Sequence, residues 1–202
     1  MKLSMFDTYP HDQKLKTIII ISIILFIITC ISVNFAFEAS GYPVSFMESQ
    51  LSFSGEVIKS HYSVMTDTQI QQYFYAQLVD YTFIFSFTLL IFSTGIYLGR
   101  KLPKASTLRK SAYVIALAGI IAGCCDSIEN GFILLMIKDH ATFPNIYAII
   151  HSCFASVKYS LLGLSIIAIV SLLLVYIIKY KPMKKKCIII SNLIFLFTTK
   201  NL

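Results

Sequence analysis

Four long apolar runs bounded by polar or basic residues constrain this chain more than any other feature. They fall at about 17–37 (TIIIISIILFIITCISVNFAF), 77–99, 111–137 and 146–178. At 1.5 Å per residue, ~20 apolar residues cross a ~30 Å hydrocarbon core, so each run is expected to be a spanning helix. The first exceeds the roughly 7–15-residue apolar region of a cleaved signal, and no small-x-small site follows it; it reads as a retained anchor. The fourth is longer than a crossing needs and is expected to be tilted or to run past the interface. The expected fold is all-α, an integral membrane four-helix bundle with a polar outer loop between helices 1 and 2.

The domain organisation follows from these runs: a polar lead at 1–16, a four-helix domain at 17–178, and a basic stop with a short apolar tail at 179–202. The run at 187–197 is too short to cross. Charged residues make up 13% and hydrophobic ones 56% of the 202 residues. Soluble globular proteins carry roughly 25% charged residues, so there is too little polar surface here to coat a water-soluble particle. A net charge of +7 would suit nucleic acid, but the basic residues flank the apolar runs and no nucleic-acid-binding motif is present. The expected partner is the lipid bilayer, with a second copy or another membrane protein as further candidates.

Lysine and arginine placement sets the expected orientation. Lys2, Lys14 and Lys16 precede the first span; Arg100, Lys101, Lys104, Arg109 and Lys110 lie in the turn after the second; Lys179, Lys181, Lys184, Lys185 and Lys186 follow the fourth. The two opposite loops hold only Lys59 and Lys138. With four spans all three rich segments fall on one side, which puts both termini in the cytoplasm, in a plasma or inner membrane. Cys30, Cys124, Cys125, Cys153 and Cys187 form no C-x-x-C and lie outside the polar loop. They read as small buried hydrophobes rather than as disulfide or redox partners.

The loop at 38–75 ends in a helical pattern. Thr68 and Gln71 resemble a capping box, and Ile70, Tyr73, Phe74 and Leu78 recur at helical spacing. The preferred reading is a short interfacial helix leading into the second span; the alternative is a lid over the outer mouth of the bundle. Tyr159, Tyr176 and Tyr180 read as packing and interface anchors.

Ionisable side chains within a span are costly and mark a site by default. Asp80, Asp126, Glu129, His151 and Lys158 qualify, with Asn130 beside them. Counted from the basic ends, Asp126 lies ~24 Å, Glu129 ~28 Å, Asp80 ~30 Å and Lys158 ~31 Å along their helices, so the four share one outer layer. Asp126, Glu129 and Asn130 are spaced i, i+3, i+4 and share a helix face. That face continues inward through Gly119, Ala122 and Gly123, and Gly119-x-x-x-Gly123 lets another helix approach closely. His151 and Lys158, seven apart, are expected to face the third span. A lysine paired with Asp126 or Glu129 would lock the helices together. Three carboxylates against one lysine need more than that: a protonated carboxyl, a bound cation, a charged His151, or water. Asp-x-x-Glu is not the Glu-x-x-His spacing of di-iron bundles, so no metal and no cofactor are expected. Ser156 points away from Lys158 and does not read as an activated nucleophile.

Asp126-Ser127-Ile128-Glu129-Asn130 after a glycine-rich helix, then SCFASVK at 152–158, resembles a family of four-span membrane proteins with Asp-x-x-Glu-Asn on the third helix and a lysine on a Ser/Thr-rich fourth. LVDYTFIF in the second span is similar to that family's second helix. The likeness covers about 17–178, leaves the tail from Cys187 as an extra, and implies a site without implying a chemistry.

Three function classes follow. The first is a bundle that binds a proton, cation or polar headgroup. The second is a structural or assembly subunit whose ion pair fixes helix packing. The third is an intramembrane enzyme on a lipid-like substrate, with Asp126 or Glu129 as acid/base and Lys158 as electrostatic partner. Four helices are few for a transporter and no catalytic signature is present, so whether the chain is an enzyme stays open at this level.

Overall fold

The computed structural model describes residues 3–180; the basic stop and apolar tail expected at 179–202 lie, beyond Tyr180, outside the described residues. The described chain holds six α-helices and no strand: α1 Asp12–Ser40, α2 Phe46–Gln50, α3 Gly55–Ser63, α4 Asp67–Lys101, α5 Thr107–Lys138 and α6 Asn145–Val175. A 3-10 turn, Leu3–Asp7, precedes them, and a π turn, Tyr176–Tyr180, extends α6. The helices α1, α4, α5 and α6 are each long and apolar enough to cross a membrane.

Local chemistry sets the helix limits. Thr66 and Gln69 form the capping box of α4, with Thr66 Oγ1 accepting from the Gln69 N–H and Gln69 Oε1 accepting from the Thr66 N–H. The expected pair Thr68 and Gln71 lies inside the helix instead; both spacings fit the pattern, and the first one along the chain starts the helix. α4 therefore begins ten residues before the expected 77, and its extra turns belong to the loop region. Gly41 closes α1 at φ +62, donating its N–H to Glu38 O. A side chain at that φ would be strained, which is why glycine stands there.

The long helices pack in chain order, α1 along α4, α4 along α5, and α5 along α6. Contact between α1 and α6 is marginal at most, so the four form a row folded around α4 and α5, with a gap between the outer pair. Burial follows: 44% of the apolar stretch is buried in α4 and in α5, against 11% in α1 and in α6. The two most apolar helices thus present most of their surface outward, which suits hydrocarbon and not water. Cys124 and Cys153 face outward as well and Cys30 is half-buried, leaving Cys125 as the buried member of the four described cysteines; thiols are apolar enough for either side of a lipid-facing helix.

The α4–α5 contact is made by glycines. A Cβ on Gly119 would strike Ile91, one on Gly123 would strike Thr88, one on Gly99 would strike Tyr113, and one on Gly95 would lie 2.9 Å from Ala116 Cβ. The expected small-residue pattern on α5 is therefore matched by Gly95-x-x-x-Gly99 on α4, which the sequence reading passed over.

Each end of the row carries a small folded cap. At the loop end, Ile58 and Tyr62 of α3 and Ile70 and Tyr73 of α4 pack with Ile133, Met136, Phe143 and Ala148. Tyr42 stacks on Tyr73 at 4.4 Å between ring centroids and bonds Ser49 Oγ at 2.7 Å. Burial pushes the Tyr42 hydroxyl up to about 12, so it is a neutral packing group. At the basic end the lead is not a loose tail. Phe6 is buried against Leu15, Ile96, Tyr113 and Ala116. Asp7 Oδ1 accepts from Arg109 Nε at 2.8 Å and Tyr113 OH at 2.7 Å, and Arg100 holds Phe6 O, Pro10 O and Asp12.

Candidate functional site: a charged layer under the loop

The layer expected from helix counting is assembled on α4, α5 and α6. Lys158 Nζ lies 2.5 Å from Glu129 Oε2 and 3.0 Å from Asp126 Oδ1, so the lysine takes both acids rather than one. Glu129 is 0% and Lys158 5% exposed. Asn130 donates from Nδ2 to Asp80 Oδ2 at 2.7 Å, tying α5 to α4. His151, also buried, brings Nε2 to 3.6 Å from Glu129 Oε1. The expected residues thus form two bonded groups, Asp80 with Asn130 and Lys158 with Asp126, Glu129 and, at 3.6 Å from Glu129, His151; Asp80, Asp126 and Lys158 share one cavity wall.

The single polar face expected on α5 divides in two. Gly119, Gly123 and Asn130 form a stripe against α4, whose groups at those levels are Ile91, Thr88 and Asp80. Ala122, Asp126 and Glu129 form the neighbouring stripe, and its two acids meet Lys158 of α6. Ala155, one turn from both Ser152 and Lys158, is fully buried and lets α6 approach.

Five further residues belong to the site. Gln50, the last residue of α2, accepts from Lys158 Nζ at 3.3 Å and from the Tyr159 hydroxyl. Ser152 Oγ accepts from the Phe53 N–H at 3.1 Å, and Asn145 Oδ1 from the Gly55 N–H at 2.6 Å. Phe53 sits at φ 53, a conformation bulky residues rarely adopt; the bonds to α6 from its own N–H and from Gly55 hold the loop down. The loop is thus seated across the cluster through α2, while its helical end, expected as a short helix leading into the second span, is continuous with that span as the first turns of α4. Tyr159 is likewise more than a packing anchor. Gln77, fully buried on α4, lies three residues before Asp80 and so on its face; that spacing was the signal for it. Gln50 carried no such signal, because a polar residue in a polar loop is ordinary.

The layer is incompletely satisfied. Gln77 Oε1, Asn130 Oδ1, Glu129 Oε1 and both ring nitrogens of His151 are buried without a hydrogen-bond partner, an arrangement that folding alone disfavours. The ammonium, in contrast, is full: its three N–H donors face Asp126, Glu129 and Gln50. Beside it lies a cavity of about 250 Å³. Asp80, Asp126 and Lys158 bring charge to its wall, Gln50 and Phe46 of α2 cover it, and Val33, Phe37, Phe83 and Leu162 supply apolar surface. Asp80 and Asp126 each leave one carboxylate oxygen with no protein donor among the described residues. Glu129 and His151 stand behind the wall. Among the described residues no three His, Cys, Asp or Glu side chains are grouped as a metal site.

The arrangement can accept hydrogen bonds and positive charge at one polar spot, in otherwise apolar surroundings. Comparisons of the chain with protein-family models, with curated proteins and with solved structures find no match.

Proposed function

We propose that this is a multi-pass membrane protein, both termini cytoplasmic, that binds a cation or the cationic head of a lipid in the cavity beneath α2. The observation that carries the reading is the pairing of two acids, Asp80 and Asp126, with one already saturated ammonium on the wall of a cavity. A pure packing lock needs no open space and no spare carboxylate oxygen. The lock exists too: Lys158 joins Glu129 and one oxygen of Asp126 on α5 to α6, and the other oxygen of Asp126, with Asp80, faces the ligand. The orientation follows from the lysines and arginines gathered at the N-terminal lead, the α4–α5 turn and the end of α6.

The test is titration of the full chain in maltoside detergent with methylammonium, followed by calorimetry. Asp126→Asn and Asp80→Asn are expected to weaken binding at least tenfold, by removing a charge-assisted bond of about 1.5–3 kcal/mol. Glu129→Gln combined with Lys158→Met, which removes the lock as a pair, is expected to keep the fold. No binding by the unaltered chain sinks the proposal in favour of a purely structural role.

A further inference from the structure

Resting on that reading, we infer that the ligand is an amphiphile, an alkyl chain ending in a primary ammonium, which reaches the cavity sideways through the gap between α1 and α6. The cavity is covered at the loop end by α2, held down by Gln50 on Lys158 and Tyr159. Its sides are α1, α4, α5 and α6, and of the neighbouring pairs around it α1 and α6 are the one pair not packed together. A second cavity, about 380 Å³ and mostly apolar with Lys16 and Thr94 at its wall, lies between the same α1 and α6 over α4, at Ile19, Ile20, Ile169 and Leu173. From Lys158, beside the head, to Leu173 is fifteen residues, ~22 Å of helix, so a chain laid in the gap from the acids to this cavity runs past the middle of a ~30 Å core.

Charge selects the head. The cavity offers two spare carboxylate oxygens and no spare cationic donor, since Lys158 is engaged three times. An anionic head finds nothing to pair with it. An ammonium with N–H donors satisfies both acids, whereas a quaternary ammonium brings charge without donors.

The experiment is binding of radiolabelled dodecylamine to the full chain in phosphatidylcholine nanodiscs, with empty nanodiscs subtracted. Saturable binding is expected. Displacement by unlabelled dodecylamine is expected at concentrations roughly tenfold or more below those of dodecanol or dodecyltrimethylammonium, the loss corresponding to one hydrogen bond to a charged group. Asp126→Asn is expected to weaken binding at least tenfold, and Asp80→Asn, which leaves Lys158 untouched, repeats the test should the first variant fold poorly. Leu162→Trp, which adds bulk to the cavity wall below the acids, is expected to weaken dodecylamine binding about tenfold. Displacement by phosphatidylethanolamine identifies an aminophospholipid, and its failure beside success with dodecylamine identifies a single-chain amine; either outcome supports the inference. Equal displacement by dodecanol or the quaternary amine overturns it. Methylammonium binding without saturable dodecylamine binding overturns it too, and leaves the cation site standing. Loss of both probes removes the site itself.

Discussion

At the basic end, Arg100 and Arg109 hold Asp7, Asp12, three backbone carbonyls and, through Asp7, the Tyr113 hydroxyl. At the loop end, one lysine faces two acids, a third acid is held by an amide, and a histidine stands behind them, 3.6 Å from Glu129. The first region has more cationic donors than acids and fills the surplus with carbonyls, leaving one nitrogen of Arg100 unmatched. Asp12 is more than half exposed there, so solvent bears part of the charge. The second has more acids than cations, lies deeper, and borders a cavity. A charged cluster that serves only to fasten a fold comes out nearly balanced, because each unpaired buried group costs stability. The loop-end excess is what favours the proposed site over a clasp.

The sharpest way to break this contrast is to remove the one loop-end cation. Lys158→Met leaves Glu129 and Asp126 facing each other without a counter-charge, and the loss is expected to be about 3–5 kcal/mol, the usual result of breaking a buried pair from one side. Thermal unfolding in detergent measures it. Adding Glu129→Gln is expected to return most of the stability; if it does not, Glu129 is not the locking partner.

The wall between the regions comes next. Gly123→Leu drives a side chain into Thr88 and is expected to cost about 1–3 kcal/mol as overpacking. Because Asn130 lies on the same stripe, the change should also weaken methylammonium binding by disturbing Asp80. Unchanged binding in a destabilised protein would show the α4–α5 seam and the site to be independent.

At the basic end the effect should be smaller. Asp7 is about one-third exposed, and Asp7→Asn is expected to cost about 1 kcal/mol or less after solvent screening. Limited proteolysis of the first ten residues is the sensitive readout. The Tyr113 hydroxyl foremost, and then the Arg109 guanidinium, hold the Asp7 carboxyl below the usual carboxylate range against the opposing effect of burial. A carboxyl depressed in the folded state contributes stability that is complete above its unfolded value, about 3.9, and is lost as pH falls through the folded value. The lead should therefore stay docked at pH 5 and loosen only below about pH 4. Asp7→Asn should remove that pH dependence.

The smallest change is Tyr159→Phe, which takes one donor from Gln50. Less than about 1 kcal/mol of global stability is expected to be lost. Hydrogen exchange in α2 should rise all the same, since Gln50 is the side chain tying that short helix to Lys158 and Tyr159.

Much of the fold was legible because its signals are local. Runs of apolar residues longer than a bilayer needs fix four helices wherever they lie, and i, i+3, i+4 spacing fixes a shared face for Asp126, Glu129 and Asn130 regardless of what faces it. Counting at a constant rise placed Asp80, Asp126, Glu129 and Lys158 at one level. The capping box was misplaced by two residues because Thr66/Gln69 and Thr68/Gln71 satisfy the same rule. Gln50 escaped notice because polar loop residues carry no periodicity.

The sequence alone determined how many helices are apolar enough to span, where their basic ends lie, and which residues occupy the costly layer, since hydropathy and helical rise belong to each segment by itself. Only the tertiary structure decided that Lys158 takes two acids, that the glycine stripe meets α4 while the acids meet α6, that α2 closes over the layer, and that α1 and α6 stay apart. Those outcomes depend on the rotation and register of one helix against another. They are set by side chains meeting across the contact, and no single segment encodes them.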